Sequence, residues 1–226
     1  MSRIAYVNGR FLPHQSASIH VEDRAMQFSD GVYEVFAVVG GELIDLKLHC
    51  ERLLRSLNEL KMRMPLRPVV LQLILQEVIH RNRIREGICY LQITRGSSPR
   101  NHVFPTNLSH SIVITARRSN PASGIESTQG VRIITTPDLR WHRRDIKSVS
   151  LLPNVLAKQS AAEANAFEAW LINKNGLVTE GSHSNAWIIV EDGTIITHPE
   201  SVDILSGVTR NRILQTAREN NIPVKE

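Results

Sequence analysis

Lys147 lies in Arg140-Trp-His-Arg-Arg-Asp-Ile-Lys147-Ser-Val-Ser-Leu-Leu152, and Glu180 follows 33 positions later (180 − 147) in Thr179-Glu-Gly-Ser-His-Ser-Asn185. A lysine amine can bond to an aldehyde, and a carboxylate can keep a ring nitrogen protonated. These are the two groups that a Schiff-base cofactor needs from its protein. Ile146, Val149, Leu151 and Leu152 around Lys147 predict a partly buried segment. A buried ammonium is costly unless it is neutralised or covalently bonded. Bonded in this way, Lys147 would be released by an incoming amine and then move a Cα proton as general base. Taken singly, Lys147 reads as one more solvated lysine and Glu180 as a polar residue at a strand end beside a tight turn.

Leu205-Ser-Gly-Val-Thr-Arg210 leads into the last predicted helix, near Thr209. A flexible glycine turn followed by helix N–H groups makes a phosphate cradle, with Gly207, Val208 and Thr209 as donors. Thr209 alone also reads as an N-cap. Joined to Lys147 and Glu180, the turn points to pyridoxal phosphate. A further candidate lies in Thr94-Arg-Gly-Ser-Ser-Pro-Arg-Asn-His-Val-Phe-Pro105, where Arg100 and His102 are two apart. In extended backbone both side chains take the same side. They could bind a carboxylate, the arginine by a charge-assisted fork and the histidine by a single donor. The alternative reading is a solvated basic loop.

The elements that must position these groups follow from periodicity. Ala5-Tyr-Val-Asn-Gly-Arg-Phe-Leu alternates around Asn8-Gly9, a two-residue hairpin signal. Gly31 to Val39 and Glu42 to Leu46 read as strands joined at Gly40-Gly41. From Leu46 the period lengthens, with Leu46, Cys50, Leu53, Leu57, Leu60 and Met64 forming an apolar helix face, and His49, Arg52 and Ser56 another. A second helix, about Pro68 to Asn82, is apolar round more than half its circumference, which predicts burial between layers. Strands are predicted over Glu86 to Gly96 and His110 to Ala116, and Ser119 to Gly124 has the composition of a linker. Beyond it come a strand from Gly130 to Thr136, a helix opening at Pro153, and strands near Glu168 to Asn173, Leu177 to Glu180 and Asn185 to Val190. The last of these turns at Asp192-Gly193 into Thr194-Ile-Ile-Thr.

Bulk composition narrows the class. With 226 residues, 42% hydrophobic and 22% charged, the chain has the balance of a globular protein with a sizeable core. Cys50 and Cys89 have neither the number of a disulfide framework nor metal-ligand spacing. The net charge of +5 is scattered and comes without a nucleic-acid motif, so it suits an anionic cofactor and substrate. There is no apolar run of membrane-spanning length, and Met1 to Gly9 lacks the apolar core of a secretory signal. The expected location is the cytoplasm, with small-molecule partners rather than nucleic acid or membrane.

Together these residues resemble the fold-type IV pyridoxal-phosphate enzymes, which include D-amino-acid and branched-chain aminotransferases and aminodeoxychorismate lyase. The similarity runs from Tyr6 to the end of the chain, and four separated motifs fall in the family's order. Within the family, Tyr33 of Asp-Gly-Val-Tyr-Glu-Val, together with the Arg100-x-His102 loop, is similar to the substrate-carboxylate trap of bacterial D-amino-acid aminotransferases. There the Arg and His come from the neighbouring subunit, which implies a homodimer. The resemblance further implies Arg52 at the cofactor phosphate, Lys147 as Schiff-base lysine, and Glu180 at the ring nitrogen with Ser182 beside it. Leu205 would lie against a cofactor face, and Gly207, Val208 and Thr209 at the phosphate.

The implied fold is α+β in two domains: a small N-terminal α/β sandwich over 1–118, a linker at 119–124, and an incomplete barrel-like cofactor domain over 125–226. The cofactor is expected between them. The chain departs from the family at Ser150, where Asn is common, and at His183, where small hydroxyl residues are common. Family members also continue past the position of Glu226 for roughly a fifth of their length. Such a barrel, cut short, is expected to expose strand edges. The implied activity is transamination of a D-amino acid with a 2-oxo acid. The alternatives are a branched-chain aminotransferase or aminodeoxychorismate lyase, and, in another class, a truncated non-catalytic remnant that binds cofactor.

Overall fold

In the computed structural model, which describes residues 3–119 and 130–226, Asn8 and Gly9 both take positive φ, 45° and 90°. This is the tight turn that Asn-Gly favours, and it joins β1 (Ile4–Val7) to β2 (Arg10–Pro13). Cα packing divides the chain into two units, 1–124 with 147–150 and 125–146 with 151–226. The expected linker at 119–124 lies outside the described residues apart from Ser119.

The first unit is built on a six-stranded sheet of order β2-β1-β6-β5-β3-β4. Its other strands are β3 (Gly31–Val39), β4 (Glu42–Leu43), β5 (Gly87–Thr94) and β6 (Ser111–Arg118). β3 matches the expected span. The strand expected to run on to Leu46 stops at Leu43, because Asp45 turns left-handed (φ 53°) to open the next helix at Leu46. A short helix, α1 (Arg24–Phe28), precedes β3, and its cap Asp23 accepts from the Ala25 N–H. α2 (Leu46–Glu59) packs on β3, and α3 (Pro68–Arg81) on β1 and β6. Val32, Phe36, Leu53, Leu57, Leu71, Leu75, Cys89, Leu91, Ile93 and Ile114 are each no more than 1% exposed and make up this unit's core.

One helix expectation changes, and a second helix gains a buried polar face. Only Leu71, Leu75, Val78 and Ile79 of α3 are buried, while Val69 and Leu73 stay exposed. α3 therefore covers one sheet surface and is not enclosed between layers. On α2 the polar face is buried as well as the apolar one: His49 and Ser56 are buried, and the Arg52 side chain is 9% exposed. The reason is Glu34 on β3, a buried carboxylate that needs donors from whatever packs on it.

The second unit holds two three-stranded sheets. One is β7-β8-β9 (Ile133–Pro137, Glu168–Ile172, Val178–Gly181) and the other β10-β11-β12 (Trp187–Ile189, Ile195–Thr197, Val224–Lys225). α4 (Leu152–Glu163) carries proline in its first turn, as expected at Pro153. It packs on β8 through Ala157 and Ala161 against Ala169 and Leu171, small residues that allow a close approach. α5 (Val208–Glu219) is the helix expected near Thr209. Among the described residues no helix is long and apolar enough to cross a membrane.

Candidate active site

Lys147 falls in the span expected for the second domain, but Lys147–Ser150 packs with the first unit. The cause is a gap in the sheet. β4 pairs only with Val38 and Val39, so the start of β3 has a free edge. Residues 147–149 fill it: Tyr33 N–H donates to the Lys147 carbonyl (3.0 Å), Val149 N–H to the Gly31 carbonyl (3.1 Å), and Val32 bridges Ser148. The Lys147 N–H also donates to Ser56 Oγ on α2 (3.2 Å). With its backbone fixed in this way, Lys147 Nζ donates to Tyr33 Oη at 3.4 Å and stands 4.4 Å from the Tyr33 ring centre. Tyr90 stacks on Tyr33, and its hydroxyl donates to Gln92 (2.7 Å). Burial pushes the Tyr90 phenol up to about 12.

One residue along β3, Glu34 faces α2. Its Oε1 accepts from Arg52 Nε (2.9 Å), and its Oε2 from Arg52 Nη2 (2.7 Å) and His49 Nδ1 (2.7 Å). Burial acts to raise this carboxyl, but Arg52 and His49 outweigh it and hold it below the usual carboxylate range. Arg52, expected at a phosphate, thus has its fork fixed by a carboxylate that the sequence reading gave no role. The Asp-Gly-Val-Tyr-Glu-Val motif contains the clue, since a glutamate at an inward-facing strand position requires a cation.

The third sequence-derived group, Arg100 and His102, lies on the exposed loop after β5. Its neighbour in the fold is Phe28. Arg100 Cζ sits 4.7 Å from that ring's centre, and the His102 ring is 5.1 Å away, centre to centre.

In the second unit Glu180, on β9, is buried and densely hydrogen-bonded. It accepts from Arg140 Nη1, from the Leu205 N–H (3.2 Å to Oε2) and from Asn185 Nδ2 (3.2 Å). Burial pushes its carboxyl up, with Arg140 acting in the opposite direction. Arg140 is shared with Asp138, whose oxygens accept from Arg140 Nε (2.9 Å) and Nη2 (2.7 Å). Thr179 Oγ1 donates to Asp138 as well (2.8 Å). One guanidinium therefore serves two buried carboxylates. The sequence reading passed over both Asp138 and Arg140, because an arginine in a basic run looks solvated until its partners are known.

Ser182 is 2% exposed, and its hydroxyl donates to Glu168, so it braces the turn after Glu180. Glu168 also accepts from Ser184 Oγ (3.1 Å) and pairs with His183 Nδ1 (2.7 Å). This gives the unusual His183 a partner. Burial opposes ionisation of Glu168, yet His183 and the serine hydroxyls bring its carboxyl down to about 2. At Ser150 the N–H donates to Ser148 Oγ (3.4 Å), a bond internal to the lysine segment.

Gly207 caps α5 in extended conformation without a side-chain capping bond. A Cβ at this position would lie 2.1 Å from Asn185 Oδ1, so a side chain here would have to displace the Asn185 amide. The Asn185 amide group donates to Glu180 and to the Leu205 carbonyl (3.0 Å), which ties the carboxylate to the turn. With no side chain over them, the first-turn N–H groups of Val208 and Thr209 suit an anionic oxygen.

Each unit thus carries some of the residues on which the resemblance to aminotransferases of fold type IV rests. The amino-transferase class IV family matches residues 31–226, and the chain belongs to it. A D-alanine aminotransferase of Staphylococcus epidermidis is 40% identical over 221 residues, 98% of this chain and 78% of that one. Its counterpart in Bacillus licheniformis is 41% identical over 220 residues, 97% and 76%. Among solved structures, Escherichia coli branched-chain amino acid aminotransferase matches with TM-score 0.90 at 22% identity, over 100% of this chain and 77% of that one, a likeness of fold. The branched-chain enzyme of T.th., solved with pyridoxamine 5'-phosphate, matches with TM-score 0.87 at 26% identity, over 100% and 76%.

Proposed function

We infer that the protein transfers the amino group of a D-amino acid to a 2-oxo acid with pyridoxal 5'-phosphate, D-alanine with 2-oxoglutarate being the type reaction. The observation that carries this reading is Lys147, fixed through its backbone to β3 with its amine on Tyr33. It is supported by relatives named D-alanine aminotransferases at 40–41% identity. The residues fit the cofactor by charge and hydrogen-bonding type. Lys147 would hold its aldehyde and Glu180 its ring nitrogen. Arg52 and the N–H groups at Val208 and Thr209 would hold its phosphate, with Gly207 keeping the turn bare and Leu205 against a ring face. When bound, the cofactor supplies an electron sink that makes a Cα proton removable.

The chain's own groups do the rest. Lys147 Nζ takes the Cα proton and delivers it again, with Tyr33 Oη accepting from it and setting its direction. Arg140 keeps a positive charge at Glu180, so that its carboxylate can ionise in spite of burial. Arg100 and His102 bind the substrate carboxylate with Tyr33. In this reading the protein is a cytoplasmic homodimer in which Arg100 and His102 serve the neighbouring subunit, consistent with their exposed loop. The residues 1–118 and 125–226, joined at 119–124, are its small and cofactor domains, with the lysine segment packed on the former.

Incubation with D-alanine and 2-oxoglutarate is expected to yield pyruvate and D-glutamate, with the cofactor absorbance bleaching on D-alanine addition. Turnover of L-leucine in preference to D-alanine would assign a branched-chain aminotransferase, and turnover of aminodeoxychorismate the lyase. Protein that stays colourless with cofactor, and gives no borohydride-trapped adduct at Lys147, would be the non-catalytic remnant.

A further inference from the structure

Among the described residues, Arg100 has no hydrogen bond and no ion pair, and His102 touches only an aromatic ring. An exposed arginine usually reaches for a carboxylate or carbonyl, whereas this one rests on the Phe28 ring, its Cζ 4.7 Å from the centre. Contact with a π-face orients a guanidinium without using any of its N–H donors, so the fork stays open. His102 meets the same ring at 5.1 Å with its plane tilted by 53°, which also leaves both ring nitrogens available.

Phe28 carries a second guanidinium. Arg24, 2% exposed, lies 4.7 Å from the ring centre and pairs through Nε with Asp30 (2.8 Å). Its Nη1 donates to the Asn101 carbonyl, between Arg100 and His102. Arg95 pairs with the same Asp30 oxygen (2.7 Å) and stacks over Phe104 at 3.6 Å, beyond His102. At the loop's base Gly96 (φ 106°) leaves no room for a side chain, since a Cβ would lie 2.1 Å from the Ser109 carbonyl oxygen. The backbone of the Arg100-x-His102 loop is thus pinned, and Phe28 is the surface on which both side chains rest.

We propose that Phe28 is a positioning residue that holds Arg100 and His102 in a preformed fork for a substrate carboxylate. The proposal rests on the carboxylate-binding role given to those two residues above. A fork that is ordered in advance loses less side-chain freedom on binding, and the benefit appears in KM rather than in the chemical step.

The test uses the cofactor-loaded full chain, D-alanine and 2-oxoglutarate. Phe28→Leu keeps an apolar side chain but removes the π-face, and is expected to raise KM for D-alanine about three- to tenfold with kcat within about twofold. Phe28→Tyr retains the ring and is expected to restore KM. Trifluorinated phenylalanine at position 28 preserves the shape while weakening the π-face, so it separates this role from folding; KM is expected to rise. In the Arg100→Ala background Phe28→Leu is expected to add less than about a twofold change. An unchanged KM with the fluorinated ring, or full multiplication of effects in the double variant, overturns the proposal. If Arg100→Ala itself leaves KM unchanged, the carboxylate-binding role falls first and the proposal with it. If Arg100→Ala raises KM while Phe28→Leu does not, only the Phe28 proposal fails.

Discussion

Replacing Arg140 with methionine tests the electrostatics of the Glu180 site directly. The side chain at position 140 keeps most of its apolar length in this variant but loses the guanidinium bonded to both Asp138 and Glu180. Both carboxylates are at most 6% exposed at the side chain, so solvent cannot replace that charge. At about 4 Å and an effective dielectric near 20, one such charge is worth about 4 kcal/mol to a carboxylate. The Glu180 carboxyl is already raised by burial in the native protein, and in Arg140→Met, without the opposing guanidinium, it is expected to rise further. Breaking a buried pair costs about 3–5 kcal/mol, which for a chain of this size is a fall in Tm of about 6–20 °C. The sign with pH follows from linkage. A carboxyl whose folded pKa is raised favours the folded state fully below its unfolded pKa, and loses that contribution as pH rises through the folded value. Asp138, held low by the same guanidinium, loses its pair at pH 4.5 as well as at pH 8, so the Tm difference between wild type and Arg140→Met is expected to be present near pH 4.5 and to widen toward pH 8 as the Glu180 contribution is added, as scanning calorimetry would record. A difference that stays constant across this range would refute the electrostatic account of Glu180. Transamination is expected to fall in parallel, and Arg140→Lys, which keeps the charge without the fork, to fall between the two.

Three other outcomes are expected. Glu34→Gln leaves Arg52 and His49 with one neutral acceptor; it should cost about 1.5–3 kcal/mol by urea unfolding and weaken cofactor affinity, measured by absorbance titration. Glu168 has its carboxyl held at about 2 and so contributes stability above pH 4.5 that is lost as pH falls toward 2. Acid titration of Glu168→Gln should show that contribution, about 3 kcal/mol, missing in this window. Lys147→Ala should abolish transamination while cofactor is still retained non-covalently, detected by equilibrium dialysis, because Arg52 and the Gly207 turn are untouched.

Much of the fold was legible because local chemistry agreed with it. Asn8-Gly9, Gly40-Gly41 and Gly193 marked turns by their left-handed backbone, and the period change at Leu46 marked the start of α2. Lys147, Glu180 and the Gly207 turn could be picked out because their residue types sit oddly in their surroundings. What could not be read was anything decided by a partner distant in sequence. Arg140 looked like one cation of a basic run until Asp138 and Glu180 closed around it, 40 positions separating the last pair. Arg52 gave no hint of Glu34, because helical spacing places it off the apolar stripe without naming what packs against it. The lysine segment's place beside β3 follows from β4 being too short to cover the edge, a length that the Glu42-Leu-Ile-Asp run overstates.

Asn185 also constrains inheritance. Its carbonyl oxygen occupies the space a side chain at 207 would need, while its amide holds Glu180 and Leu205. Positions 180, 185 and 207 are therefore not free to drift separately. A larger residue at 207 evicts Asn185 and loosens Glu180, so among descendants of this chain any lineage that changes one position should be found to have changed the other.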